Sequence, residues 1–309
     1  MRLPRTLAVP ALLLPLFSCI GAPPVIESYP HHVARTVRVD GVEIHYFDFN
    51  HTATGTVLIW VHGQSGASFE TSYLAVELTG DHRLIALDLP GNGLSEKPRR
   101  RYTDEYYQEV LRQFISYIDV DEYVLVGHSL GGVSVLPVAA EQPPGLQALI
   151  LVAPYYFRGQ AGGLREFLSN TGPLVDLAMA LYAPWMMQMI VRREAFYNAD
   201  LVPENLLAFY RTALFHTENG RGALASVTRH MVGKERETDV LGQVTVPTLI
   251  AWGREDRVLS YDHAERFVTA IPGSTLVTYE RTGHLPHVER AREFAADLRL
   301  FLRGAHPGE

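Results

Sequence analysis

The chain has 309 residues, 47% of them hydrophobic and 20% charged, with 27 Lys and Arg against 34 Asp and Glu for a net charge of −7. That length and apolar content bury a large core and exclude a disordered chain or a coiled coil. The acidic balance, with no basic run longer than Arg99-Arg100-Arg101, argues against nucleic acid as a partner and reads that triplet as a solvated loop.

The first residues, Met1-Arg2-Leu3-Pro4-Arg5, are basic, and residues 7–20 are apolar but broken by Pro10 and Pro15. That run is too short for a hydrocarbon core of about 30 Å, so residues 1–18 are expected to be a signal peptide and the protein to be exported. Leu16-Phe17-Ser18-Cys19 resembles the bacterial lipobox, in which the cysteine is lipidated and becomes the new N-terminus. Cys19 is the only cysteine, which excludes an intrachain disulfide and a thiolate metal cluster. The resemblance implies a lipoprotein held at a bacterial membrane through Cys19, with residues 19–34 as a tether; Ile20 in place of Asp fits outer-membrane sorting in a Gram-negative host. The alternative is ordinary cleavage near Gly21-Ala22, which discards Cys19 and leaves a soluble periplasmic or secreted protein. His31-His32 reads as part of a solvated tail and not as a metal pair, because neighbours on an extended chain point to opposite sides.

Residues 36–40 and 42–47 flank Gly41 as a period-two hairpin. Residues 56–61, 84–87, 123–126, 148–152 and 248–252 are continuous apolar, β-branched runs, the pattern of strands buried on both faces. Helical segments such as 104–119 and 129–141 separate them, and Thr275–Tyr279 reads as a last strand. Alternating strands and helices predict an α/β fold, a doubly wound and mostly parallel sheet whose site lies at the carboxyl ends of the strands. The alternation stops at residues 155–241, which hold helix-length segments rich in Leu, Met and aromatics. That stretch is expected to be a helical lid, with Trp185, Met186 and Met189 as pocket candidates beside Met187, although such residues more often pack a core.

The chemistry concentrates at strand ends. Gly127-His128-Ser129-Leu130-Gly131 follows a strand and opens a helix, the context that the G-x-S-x-G nucleophile elbow requires. A serine hydroxyl needs a base and an orienting carboxylate. Asp256 follows the strand 248–252 and His284 follows Thr275–Tyr279, so Ser129, Asp256 and His284 stand in the order that the elbow predicts.

With these motifs the chain resembles the α/β-hydrolase family, in its lid-bearing branch, over about residues 35–303. His62-Gly63-Gln64 resembles that branch's oxyanion loop, residues 88–95 (DLPGNGLS) its D-x-P-G-x-G-x-S segment, and Gly283-His284 its catalytic histidine loop. The resemblance implies a core of residues 35–154 and 242–303, a lid of 155–241 and a tail of 304–309. It also implies that Ser129 attacks, that His284 acts as base and then acid, and that Asp256 orients the imidazole. The oxyanion would be bound by the backbone N–H groups of Gln64 and Leu130, with no metal or organic cofactor required.

Rivals exist at each position. Glu255 competes with Asp256, and His287 with His284, although His287 should fall inside the closing helix. His62 and His128 are expected to bridge loops, and Ser65 to satisfy its own turn. Serine in place of a nucleophilic aspartate sets the chain apart from dehalogenase and epoxide hydrolase relatives, so acyl chemistry is expected. The primary expectation is a carboxylesterase for a small or medium apolar ester. Alternatives are a C–C bond hydrolase of vinylogous diketones, in which Arg192 or Arg193 would bind a substrate carboxylate, and a cofactor-free acyltransferase or perhydrolase. A noncatalytic, membrane-tethered binding protein is the alternative from a different class.

Overall fold

β1 (His32–Val39) and β2 (Val42–Phe49) form a hairpin in which Val39 faces Val42. Its turn is Asp40-Gly41, both at positive φ (49° and 74°), the backbone that matches the right-handed twist of a two-residue hairpin. The hairpin is longer than the alternation alone indicates, because both strands extend toward His32 and Phe49. This computed structural model describes residues 32–305 apart from 79, 162–165 and 167–168, so the signal peptide, Cys19 and most of the tether and tail expectations lie outside the described residues.

Six further strands complete the sheet: β3 (Val57–Val61), β4 (Arg83–Leu87), β5 (Tyr123–His128), β6 (Leu146–Val152), β7 (Thr248–Gly253) and β8 (Thr275–Tyr279). Their spatial order is β1-β2-β4-β3-β5-β6-β7-β8. The pairs β1/β2 and β2/β4 are antiparallel and the rest parallel, so the sheet is mostly parallel, as the strand pattern predicts.

Side-chain alternation along the strands divides the core into two layers. Ile59, Val61, Leu125, Leu149, Leu151 and Ile250 enter one layer, with α2 (Asp104–Ile118) and α3 (Gly132–Ala140) above them. Leu58, Trp60, Val124, Val126, Ile150 and Leu249 enter the other, with α1 (Ser72–Glu77) and, near the C-terminus, the helix Ala291–Ala305. That last helix buries Phe294, Ala295, Leu298 and Leu302, a stripe at the helical period.

Helix ends follow local chemistry. Thr103 caps α2 by accepting the Tyr106 N–H at 3.3 Å, with Asp104 and Glu105 in the first turn where the dipole favours anions. Asp119 turns left-handed (φ 51°) and stops α2 one residue short of the predicted end. Pro137 lies inside α3 and leaves a carbonyl without its helical donor; Gln108 Nε2 donates to that Val133 oxygen at 3.1 Å.

Between β6 and β7 the described residues form helices α4 (Pro173–Leu181), α5 (Pro184–Ile190), α6 (Glu204–Phe215) and α7 (Gly220–Met231). α8 (Ala264–Ala270) joins β7 to β8; α9 (Pro286–Glu289) and α10, the helix Ala291–Ala305 above, close the chain.

Candidate active site

Ser129 follows the end of β5 with φ at +50° and opens a single 3-10 turn, Ser129–Gly131, so α3 begins three residues later than the apolar pattern suggests. A β-carbon in the left-handed region costs roughly 1–2 kcal/mol, and close neighbours hold it there. A Cβ at Gly131 would lie 2.4 Å from the Val61 oxygen, and one at Gly63 would lie 2.7 Å from Ser129 Cβ. Glycine at both positions lets α3 and the 62–66 loop close on the serine. Its carbonyl accepts the Tyr155 N–H at 2.8 Å.

Asp256 lies just beyond β7 and is 7% exposed. Its Oδ1 accepts the N–H groups of Val258 and Leu259 at 2.8 and 2.9 Å, which leaves Oδ2 for His284 Nδ1 at 2.6 Å. With the carboxylate accepting at Nδ1, the proton of a neutral imidazole sits on that nitrogen and Nε2 offers a lone pair. Glu255 does other work: its Oε2 accepts the Thr282 N–H and its own N–H donates to the Thr282 carbonyl, each at 3.0 Å. It staples the two loops and leaves His284 to Asp256.

The backbone of His284 is held at both ends. Its N–H donates to the Ala195 carbonyl at 2.7 Å and its carbonyl accepts from His128 Nε2 at 3.1 Å. Glu289 spans the same junction, accepting the Gly283 N–H on one oxygen and the Tyr197 N–H on the other. Burial, assisted by the nearby Asp256 charge, pushes the Glu289 carboxyl up to about 7 against those two bonds. His287 lies in α9 with no exposure, against Trp60 and His128 at ring separations of 4.7 and 4.8 Å.

Gln64 and Leu130 both border the cavity beside Ser129. Gln64 Nε2 donates to Thr228 Oγ1 of α7 at 2.7 Å, which ties the 62–66 loop to the helices above. His62 bridges two loops: Nδ1 donates to the Gly63 carbonyl at 2.7 Å, and Nε2 accepts the Leu89 N–H at 3.0 Å. Asp88 gathers the Ser68 and Leu94 N–H groups and His45 Nδ1. Burial works to raise its carboxyl, but His45 and His62 outweigh burial and hold it well below the carboxylate range. The D-x-P-G-x-G-x-S segment is thus a structural clasp for the loop beneath the serine. Ser65 occupies its turn at φ 59°.

Ser129 and His284 open into a cavity of about 310 Å³. Val175, Ala178, Met179 and Tyr182 of α4 and its C-terminal end, with Met187, Ile190 and Val191 of α5 and the π-helical turn Val191–Ala195, form its roof. Here the pocket expectation is corrected. Trp185 and Met189 are 64% and 40% exposed, and neither they nor Met186 lines the cavity. Positions 187, 190 and 191 share one helical face at i, i+3 and i+4, while 185 and 189 point the other way. Arg192 donates to the Ala199 carbonyl and pairs with Glu204; neither Arg192 nor Arg193 lines the cavity. Among the described residues no arginine or lysine does.

One polar cluster has no counterpart in the sequence analysis. Glu70 is fully buried, its Oε2 accepting from Tyr210 Oη at 2.7 Å and its Oε1 lying 3.2 Å from His128 Nδ1 and 3.9 Å from His287 Nε2. Burial works to raise its carboxyl, and the bond and charge of His128 outweigh it, bringing Glu70 down to about 2. Glu70, His128 and His287 place one donor atom each within 4.8 Å of one another, so they are also the residues with the geometry to hold a metal ion.

Comparison with known proteins bears on the family and the fold. The sequence profile of the alpha/beta hydrolase family matches residues 58–297. An uncharacterized hydrolase, YugF of Bacillus subtilis (strain 168), is 26% identical over 273 residues, covering 87% of this chain and 97% of its own. The 2-hydroxy-6-oxo-6-(2'-aminophenyl)hexa-2,4-dienoic acid hydrolase of Metapseudomonas resinovorans is 26% identical, covering 89% and 93%. The crystal structure of a membrane phospholipase A, a bacterial virulence factor, superposes with a TM-score of 0.72 at 26% identity, covering 89% of this chain and 87% of that one.

Proposed function

The chain belongs to the alpha/beta hydrolase family, and from that premise we propose that it is a serine hydrolase cleaving a carboxylic ester of a small or medium apolar substrate. The observation that carries this reading is the 2.6 Å pairing of His284 with Asp256 beside Ser129, at the floor of one apolar cavity. His284 Nε2 takes the Ser129 proton as Oγ attacks the ester carbon, and returns it to the departing alcohol. Asp256 fixes the tautomer and stabilises the imidazolium that forms. The Gln64 and Leu130 N–H groups receive the oxyanion, and loss of one such donor typically costs about 2.7–4 kcal/mol of transition-state stabilisation. Water then releases the acid by the same steps in reverse.

The apolar roof ranks an ester above a vinylogous diketone acid, because the described residues supply no arginine or lysine at the cavity for a carboxylate. The helices between β6 and β7 act as the lid. Their outer face supports work against lipid: among the described residues, seven of the eleven exposed large apolar side chains fall between Leu174 and Leu201. No single described helix is long and apolar enough to cross a bilayer; the proposal of a membrane hold through lipid on Cys19 is supported by the sequence motif at residues 16–19.

The test is hydrolysis of p-nitrophenyl esters from acetate to palmitate by the wild type and Ser129→Ala, with fluorophosphonate labelling of both. Turnover and labelling that vanish together in Ser129→Ala are expected, and the best chain length sizes the cavity. Labelling without ester turnover would transfer the assignment to C–C cleavage or acyl transfer.

A further inference from the structure

We propose that Glu70 is a positioning residue for the catalytic histidine, acting through His128 behind the nucleophile. The proposal rests on the serine-hydrolase reading of Ser129 and His284. Its basis is a relay of hydrogen bonds. The carbonyl of His284 can only accept, so His128 Nε2 donates there. The other nitrogen, Nδ1, faces Glu70 Oε1 at 3.2 Å, while Tyr210 donates to Oε2. Glu70 therefore holds the Nδ1 edge of the ring whose Nε2 edge holds the His284 carbonyl.

The chain Tyr210–Glu70–His128–His284 thus reaches from the lid helix α6 to the backbone of the catalytic loop. His284 is held at its ring by Asp256, at its N–H by Ala195 and at its carbonyl by His128. Loss of the Glu70 contact frees the His128 ring to turn and slackens its hold on the His284 carbonyl, so the consequence is a loss of kcat and not of substrate binding.

The experiment measures kcat and KM for a p-nitrophenyl ester for the wild type, Glu70→Ala, Glu70→Met and Glu70→Gln, together with fluorophosphonate labelling, thermal melting and bound-metal content. Glu70→Ala is expected to lower kcat by about 10²-fold, the scale of a slightly misplaced catalytic group, with KM little changed. Glu70→Gln recovers part of that loss, because its amide can donate to Nδ1 while Nε2–H stays on His284. If Glu70→Ala does not fold, Glu70→Met, of similar length but with no group to pair with Nδ1, takes its place, and its kcat should fall below that of Glu70→Gln. A folded Glu70→Ala or Glu70→Met with unchanged kcat, or a Glu70→Gln that recovers none of the loss, overturns the proposal. Stoichiometric zinc in the wild type that is lost in Glu70→Ala also overturns it, making the cluster a metal centre. A wild type that neither labels nor turns over refutes the serine-hydrolase reading itself, whereas a labelled wild type with an indifferent Glu70→Ala refutes only this proposal.

Discussion

The loops beneath the cavity and the helices above it meet across a few ångströms, yet opposite rules built them. Below, the polar groups that set the geometry have assigned partners: both oxygens of Asp256 are occupied, and Glu255, His62 and Asp88 each clasp a neighbouring loop. Above, α4 and α5 are apolar on both faces, with Met179 and Met187 turned to the cavity and Leu177, Leu181 and Trp185 to the outside. A helix without a polar face gains its orientation from whatever covers each side. The floor is held by polar contacts, and the roof presents apolar surface both inward and outward.

The sharpest break in that contrast is at the floor. Asp256→Asn should keep the fold and lower kcat by about 10⁴-fold, since an amide in place of the carboxylate favours the wrong imidazole tautomer; steady-state kinetics beside a melting curve checks both halves. Next, Leu298→Ala opens a cavity in the layer under α10 and should destabilise the protein by about 2–5 kcal/mol, measured by denaturant unfolding. A matching deletion on the roof, Leu177→Ser with Trp185→Ser, should leave stability and soluble-ester turnover near wild type. Binding to zwitterionic phosphatidylcholine vesicles should fall about tenfold, from apolar area no longer withdrawn from water; unchanged binding would deny that this face meets lipid.

The smallest expected effect is at the junction of the two regions. The Glu289 carboxyl stands at about 7 in the folded protein, above its ordinary 4.5. Its proton therefore contributes stability that is fully present below about 4.5 and lost as the pH rises through about 7. The melting temperature of the wild type relative to Glu289→Gln should accordingly fall between pH 5 and pH 8, and a flat difference would contradict the raised value.

The same contrast governs what was legible beforehand. The strands could be read because runs such as 123–126 and 248–252 are buried on both faces, and the triad candidates because each lies within a few residues of a strand end. Asp256 and Glu255 were separable only by which of them meets Nδ1 of His284, a matter of loop shape. The roof misled: α5 is seven residues long and apolar but for Gln188, so nothing in Trp185, Met186, Met187 and Met189 says which of them turn inward. Glu70 was invisible for another reason. Its partners His128 and Tyr210 lie 58 and 140 residues away, and a lone glutamate in a polar-looking loop carries no local mark of burial.

The seam at Ala195 and Tyr197 bears on how this protein can be recombined. Because the His284 N–H rests on Ala195 and Glu289 reaches Tyr197, the last residues before α6 belong to the catalytic loop as much as to the lid. A chimaera that exchanges α4 and α5 alone keeps both bonds and transplants only the cavity wall and outer face. One that exchanges the whole stretch from β6 to β7 replaces the backbone on which the histidine is aligned. Crossover points placed before residue 195 are therefore the ones that let substrate preference be varied while the chemistry stays in register.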